Sequence, residues 1–335
     1  MKQWRKAIFL AVPMTLTMAF SGFAGQWEEE DITWKYQQDD GSYAADVWQW
    51  IDGDGNGTAE CYHFNEDGFL DLNTVVDGWI VNSQGQWTMG GNVQQLDLNA
   101  TAEEIGAIYG AANTKAAGLR DMDADINAVM KLTVDQESMD MLMDMNMKMQ
   151  GAYTGNMKIL YDMAIQAEGE SVTMTMFYQD GYMYTETEGI KMKMPMDMDE
   201  ILEQSRAMSS SLQLASDQMY GMDNMQLYRN GNAKTVTYEM NTAELNAAVN
   251  EIMALMGTDF TNMGYEYQVD RVSGTIHINE DGYADKESVS MDMSMTVLGM
   301  NMDMSIDMDV TIKNPGQPVF ITLPSTEGYA DLTEM

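Results

Sequence analysis

Residues 139–149 read MDMLMDMNMKM, with methionine at every second position. Side chains of an extended chain point alternately to opposite faces, whereas those of a helix advance by about 100° per residue. Only as a strand do Met139, Met141, Met143, Met145, Met147 and Met149 share one environment, leaving Asp140, Asp144, Asn146 and Lys148 for a wet face. The pattern returns as KMKMPMDMD at 191–199 and SMDMSMTVLGMNMDMSIDMDV at 290–310. Long strands with one apolar and one polar side must belong to a sheet that buries or uses its apolar face.

The same reasoning predicts strands at 157–165, 172–178, 182–194, 225–229, 234–240, 267–278 and 287–312. Turns at Asp180-Gly181, Asn230-Gly231 and Asp281-Gly282 join several as hairpins. Three helices are expected among them. Thr101 and Glu104 make a capping pair ahead of Ile105, Ile108, Tyr109, Ala112, Ala116 and Leu119; 197–219 is amphipathic through Ile201, Leu202, Met208, Leu212 and Leu214; and Asn241 with Glu244 caps a run containing Leu245, Val249 and Ile252. The expected fold class is α+β: a large curved antiparallel sheet, or half-barrel, covered by about three helices and preceded by a small β-hairpin repeat module.

The first 24 residues have the order of a secretory signal: Lys2, Arg5 and Lys6, an apolar run from Ala7 to Phe20, then small residues up to a cleavage point after Ala24. The run is short for a membrane span, which needs about 20 apolar residues. No later segment is apolar enough, so the mature chain is expected to be extracellular, wall-associated or secreted, without a transmembrane segment. A retained N-terminal anchor is the alternative. The net charge of −36 becomes −39 once those three cations are removed. Such a field disfavours nucleic acid as a partner. The single cysteine, Cys61, allows no internal disulfide and lies too far along the chain to be a lipid anchor after the signal.

Composition divides the remainder, with six of seven tryptophans between Trp27 and Trp87 and most of the 37 methionines after residue 120. The reading is a signal at 1–24, an aromatic hairpin module at 25–90 and a methionine-rich domain at 101–330. In the module, Trp34 is followed by Asp40-Gly41 and Trp48 by Asp54-Gly55, and CYHFNEDGFL at 61–70 keeps the offsets with cysteine in place of tryptophan. Repeats this short must stack to bury their faces, which predicts a small solenoid. These residues, with Gly78-Trp79 and Gly85-Gln86-Trp87, resemble the cell-wall-binding or choline-binding repeats of Gram-positive surface proteins. The resemblance implies Trp34, Trp48, Trp50, Tyr62, Trp79 and Trp87 as binding residues for choline or a glycan of the wall, with cation–π attraction for a quaternary ammonium. Equally, the rings could be hairpin core. Asp52-Gly53-Asp54-Gly55-Asn56-Gly57 opens like a calcium loop, but its twelfth position is His63 rather than glutamate, so it reads as an Asp-Gly turn.

In the second domain, EEIGAIYGAANTKAAGLRDMDADINAVMKLTV, FYQDGYMYTETEGIKMKMPMD and INEDGYADKESVSMDMSM resemble an uncharacterised Gram-positive family of exported lipoprotein-like proteins similar to the LolA/LppX-like fold. The likeness spans about 101–325 and implies a half-barrel that holds lipid. Three uses of the methionines compete. A pliable thioether face suits an apolar ligand of variable shape, with Met139, Met141, Met143, Met145, Met147, Met174, Met176, Met192, Met194, Met293, Met295, Met302 and Met304 as its lining. Alternatively, methionine merely fills the space under helices, in a structural or adhesive wall protein without a cavity. The third use is Cu(I), but the sulfurs are too regularly spaced and too many to define one site. His63 and His277 are the only histidines and fall in different domains, and no phosphate loop or zinc pattern is present. The expectation is therefore a non-enzymatic binding protein with no cofactor and no metal, whose partners are wall polymer and a lipid or other apolar molecule.

Overall fold

The computed structural model describes residues 25–30, 33–134, 137–152, 154, 156–198, 201, 221–255, 265–297 and 300–332. The signal reading at 1–24 and nearly all of the helix expected at 197–219 lie outside them. The chain divides into two compact units, one of residues 1–105 with 226–236, the other of 106–225 with 237–335.

In the first unit β1 (Gln26–Glu30) pairs with β2 (Thr33–Gln37), and β3 (Val47–Ile51) pairs with β4 (Thr58–Phe64). A four-stranded sheet follows, made of β5 (Thr74–Val76), β6 (Trp79–Val81), β7 (Trp87–Met89) and β8 (Asn92–Val93). β9 (Gln95–Asp97) returns to pair with β4 on one side and with Leu227–Arg229 on the other. The hairpins are present, but the stacked solenoid is not: they separate into three sheets. The reason lies in β4, whose two faces are both buried. Cys61 packs with Trp48 and Val81, while Phe64 joins Ala44, Ile51 and Leu70 in a second core. A strand enclosed on both faces cannot serve as one rung of a single-faced stack.

The second unit starts within α1 (Ala102–Ala117) and continues through β10 (Met122–Val134), β11 (Glu137–Gln150), β12 (Lys158–Ala167), β13 (Glu170–Gln179), β14 (Tyr182–Thr187) and β15 (Ile190–Pro195). Then come β16 (Met222–Asn230), β17 (Ala233–Met240), α2 (Thr242–Leu255), β18 (Tyr265–Ile278), β19 (Ala284–Val297), β20 (Met300–Ile312) and β21 (Ala330–Asp331). The tip of the β16–β17 hairpin belongs to the first unit. Strand order is β21-β15-β14-β13-β12-β11-β10-β20-β19-β18-β17-β16. Two meanders are thus joined where β10 pairs with β20. Both expected helix starts hold, with Thr101 Oγ1 accepting the Glu104 N–H at 3.1 Å and Asn241 Oδ1 accepting that of Glu244 at 3.3 Å.

The registers put the methionines together. Met145 stands opposite Met163, which faces Met174 on the next strand, while Met293 faces Met304 and Met295 faces Met302. The other side carries the charge, and its pairing is selective. Asp123 faces Lys148, Asp144 faces Asn127, Asp307 faces Ser290 and Asp309 faces Ser288. Across β10–β15 and β18–β20 no described acid stands directly opposite another acid. Directly opposed like charges destabilise a sheet, so this arrangement lets the unit carry many aspartates on paired strands.

The expectation of a sheet covered by about three helices is corrected. The described residues are mostly strand, with two helices, and the sheet is open. Length explains why these two cannot cover it. A strand of 14 residues such as β11 spans about 46 Å at ~3.3 Å per residue. The 16 residues of α1 span about 24 Å at ~1.5 Å each.

Candidate functional site

The methionine face is neither filled core nor open surface. Met139, Met141, Met143, Met145, Met147, Met174, Met176, Met192, Met293, Met295, Met302 and Met304 are all half-buried, and Met194 is exposed. The face is closed at two places. Ala152, Met157, Ile159 and Met198 form a buried cluster against Met149, Tyr161 and Met183. Beside β17 and β18, Ala112 of α1 packs on Tyr238, Ile276 and Ile278, with Ile108 and Tyr109 around them. α2 adds a polar attachment: the Asn246 side chain donates to the Val269 carbonyl at 2.8 Å and accepts the Val269 N–H at 2.9 Å. An open depression of about 390 Å³ beside it is bounded by Thr242, Ala243, Asn246, Asn250, Tyr267 and Gln268, so it is largely polar and separate from the methionine-rich strands β11–β15.

Away from the strand ends, one acid breaks the apolar character of this face among the described paired positions of β10–β15 and β18–β20. Glu287 lies opposite Ile276 on β18 and Val310 on β20, in phase with Val289, Met291, Met293 and Met295. Its side chain reaches solvent, yet burial by the surrounding protein raises its carboxyl above the ordinary glutamate value. Tyr238 is almost fully buried and its phenol is raised by desolvation, then by the charge of Glu287 and by Tyr109. The Tyr238 ring lies over Gly274, filling the space a side chain there would need. Sequence reading missed Glu287 and Tyr238. The available signal was phase: Glu287 falls on the same side of β19 as Met291, and that period-two count could have found it.

The aromatic residues expected to bind wall polymer do not form one site. Trp48, Trp50 and Trp79 converge on Trp87 with ring centroids 6.3, 6.0 and 5.0 Å away. The rings of Trp79 and Trp87 meet edge to face and Trp48 is buried, which is core packing. Trp34 stands apart and exposed, and Tyr62 packs on Trp27 at 5.0 Å. Cys61 occupies the place of a tryptophan beneath Trp48 and Val81, and burial pushes its thiol far above its ordinary value. Around Asp52-Gly57 the carboxylates of Asp52 and Asp54 accept backbone N–H groups of Gly55, Asn56 and Gly57, as an Asp-Gly turn requires.

The hairpin at HFNEDGFLD, 63–71, has a counterpart in the second unit at HINEDGYAD, 277–285. The geometry is the same in both. His63 Nδ1 lies 2.6 Å from Asp71 Oδ2 and His277 Nδ1 lies 2.5 Å from Asp285 Oδ1. Asn65 Oδ1 accepts the Phe69 N–H at 3.0 Å, and Asn279 Oδ1 accepts that of Tyr283 at 3.1 Å. Lysine covers the aromatic ring in each, Lys35 at 4.1 Å from Phe69 and Lys115 at 4.2 Å from Tyr283. The residues that carried the wall-repeat resemblance at 61–70 therefore also suit a hairpin of the methionine-rich unit.

Residues 104–326 match the family described as a family of unknown function, DUF6612. The chain belongs to the DUF6612 family. The matched region covers α1 from Glu104 onward and all of β10–β20. No curated protein matches the chain. Among solved structures it is similar to LprF from Mycobacterium bovis, at 16% identity over 68% of this chain and 100% of that one, with a TM-score of 0.33. A DUF1329 family protein from Desulfovibrio piger matches at 10% identity over 64% of this chain and 94% of that one, TM-score 0.23, and ywiB from Bacillus subtilis at 9% over 56% and 92%, TM-score 0.16. Overlaps this low carry no weight for the ligand of the DUF6612 region. No helix among the described residues is long and apolar enough to cross a membrane.

Proposed function

We propose that this DUF6612 protein is an exported, non-enzymatic binding protein that holds a lipid or other apolar molecule against the methionine face of its second unit. The carrying observation is that the thirteen expected lining methionines are half-buried or exposed. Filler under a helical cover would be sealed from water. A contiguous apolar face left wet costs about 25 cal/mol per Å², and an apolar ligand recovers that free energy on binding. Methionine suits the task because its unbranched thioether repacks around different shapes.

The test is native mass spectrometry of the purified chain together with uptake of a neutral fluorescent alkane. Replacement of Met143 and Met145 by Asp should abolish uptake, and replacement of Asp144 and Asn146 by Ser should leave it intact. Lack of both co-purified lipid and uptake would favour the rival reading, a structural or adhesive wall protein. A second part of the proposal is attachment to wall polymer through residues 25–90. It is supported by the exposure of Trp34 and Tyr43, and a full chain that fails to sediment with purified walls would remove it.

A further inference from the structure

The apolar face has one polar position of unusual placement. On the face that carries the methionines, β10–β15 and β18–β20 present apolar, aromatic, glycine or threonine side chains at the described paired positions, apart from Glu137 and Glu170, each the first residue of its strand, and Glu287. Glu137 and Glu170 are at the ends of their strands and exposed, whereas Glu287 lies within its strand. Glu287 is flanked by Ile276 and Val310, near the part of the face that α1 and β17 cover with Tyr109 and Tyr238. The cation of α1 closest in sequence to this region, Lys115, is already committed: it donates to the Asp281 carbonyl and lies over Tyr283. Lys286 is on the opposite side of β19, paired with His277 and Thr311.

From Glu287 the face continues along β19 through Val289, Met291, Met293 and Met295. These eight steps amount to about 26 Å at ~3.3 Å per residue. One leaflet of a bilayer is about 15 Å of hydrocarbon, half of the ~30 Å core. The lane is long enough for a single extended acyl chain, and it begins at a carboxylate.

We propose that Glu287, with the hydroxyls of Tyr238 and Tyr109, receives the head group of a single-chain amphiphile that carries a hydrogen-bond donor, an amine first and an alcohol second, and that it discriminates against a carboxylate head. This rests on the apolar-ligand reading above and specifies which ligands that face selects. The physical reason is complementarity. A carboxylate set among apolar side chains, with no cation beside it, gains most from a charged donor and less from a neutral one, and a second anion beside it is disfavoured. Glu287 is exposed, so a head group can reach it, and the side chains facing it on both neighbouring strands, Ile276 and Val310, offer it neither a cation nor a hydrogen-bond donor. The tyrosine hydroxyls can accept or donate, so they complete the bonding of either favoured head.

The experiment displaces a neutral pyrene-labelled alkane from the full chain at pH 7 with hexadecylamine, hexadecanol and hexadecanoate. The amine should displace the probe at roughly tenfold lower concentration than the carboxylate, which is the scale of one charge-assisted hydrogen bond. Glu287→Gln should bring amine and carboxylate to within about threefold of one another, each read against the alkane probe bound to the same variant. Asp307→Asn, the same change of net charge on the wet face, should leave the amine preference intact and so excludes attraction by bulk charge. Tyr238→Phe keeps the ring over Gly274 and should weaken the alcohol more than the alkane probe. Equal displacement by all three ligands, or an amine preference that survives Glu287→Gln, overturns the proposal while leaving an apolar site in place. Failure of the wild-type chain to bind the alkane overturns the apolar-ligand reading itself.

Discussion

The ring of Tyr238 lies across Gly274: a Cβ added to the glycine would stand 2.3 Å from the tyrosine hydroxyl oxygen and 2.3 Å from Cζ. Both residues are on strands, and this glycine needs no unusual backbone angle, so the constraint is one of space. Gly274→Ala should destabilise the second unit by about 1–3 kcal/mol through overpacking. Tyr238→Ala should cost about 3–5 kcal/mol as a large cavity. The double variant should be less harmed than the sum of the two, because the cavity accommodates the new methyl group. Additive losses in chemical denaturation would show that ring and glycine do not share this space.

Glu287 gives stability a dependence on pH. Its folded-state pKa is raised above the ordinary value of 4.5 by burial, so the native state binds that proton more tightly than the unfolded chain does. Stability from this group is therefore greatest below about pH 4.5 and declines as pH rises through the folded-state value. Ile276 and Val310, which face it across the neighbouring strands, carry no charge, and the Tyr238 phenol, itself raised by desolvation and by the charge of Glu287, stays protonated in that range. Glu287→Gln should gain stability relative to the wild type at neutral pH, and the gain should vanish in acid. A gain that grows as pH falls would contradict a raised carboxyl at this position.

The two matching hairpins offer a comparison within one chain. Asn65→Ala removes an acceptor for two backbone N–H groups, those of Asp67 and Phe69. Asn279→Ala removes the acceptor for Tyr283. Each should cost about 0.5–2 kcal/mol, the usual scale for losing a side-chain cap of backbone donors. Hydrogen exchange should localise the effect of each change to its own unit. Loss of protection in both units from either substitution would refute their independence.

Arg229 is the polar clamp of the first unit. Its Nε and Nη2 donate to Asp97 Oδ2 at 3.0 and 2.7 Å, and Nη2 also reaches Glu104 at 2.9 Å. Arg229→Lys keeps the charge but cannot present the forked donors, and should recover less than half of what Arg229→Ala loses. Full recovery by lysine in thermal unfolding at low and high salt would mean that charge alone matters there.

The strands of the second unit were legible because their period is two over many residues. Met139 to Met149 permit no other assignment, and β11, β19 and β20 follow it. Helix starts were legible at Thr101 and Asn241, where a cap and its glutamate are local in sequence. How far helices cover the sheet was not, because that depends on element lengths in three dimensions. The partition of the first unit was equally hidden. Only the pairing of β9 with β4 and with Leu227, 130 positions further along the chain from Asp97, assembles it. The wet face was read as uniformly polar, yet Phe177 is fully buried on it, stacked on Tyr184 at 4.7 Å and met edge-on by Tyr329. No periodicity relates a strand to a C-terminal segment that far away. At the candidate site, the methionine lining could be counted from sequence, whereas the shift in register between Val269 and Arg271 obscures how β18 lines up with Glu287.

The opposition of the described paired aspartates of β10–β15 and β18–β20 to neutral or basic partners reaches beyond folding. Ser288 and Ser290 donate to Asp309 and Asp307, at 2.5 and 2.6 Å, and Ser294 stands opposite Asp303. These serines are small and lie on the polar side, positions where substitution is ordinarily free. Here each is fixed by the acid it faces: conversion to aspartate, or phosphorylation by a kinase, would set two anions at the closest approach the sheet allows. Drift in such a sequence must therefore move in pairs, with an acid lost on one strand before another is gained across from it.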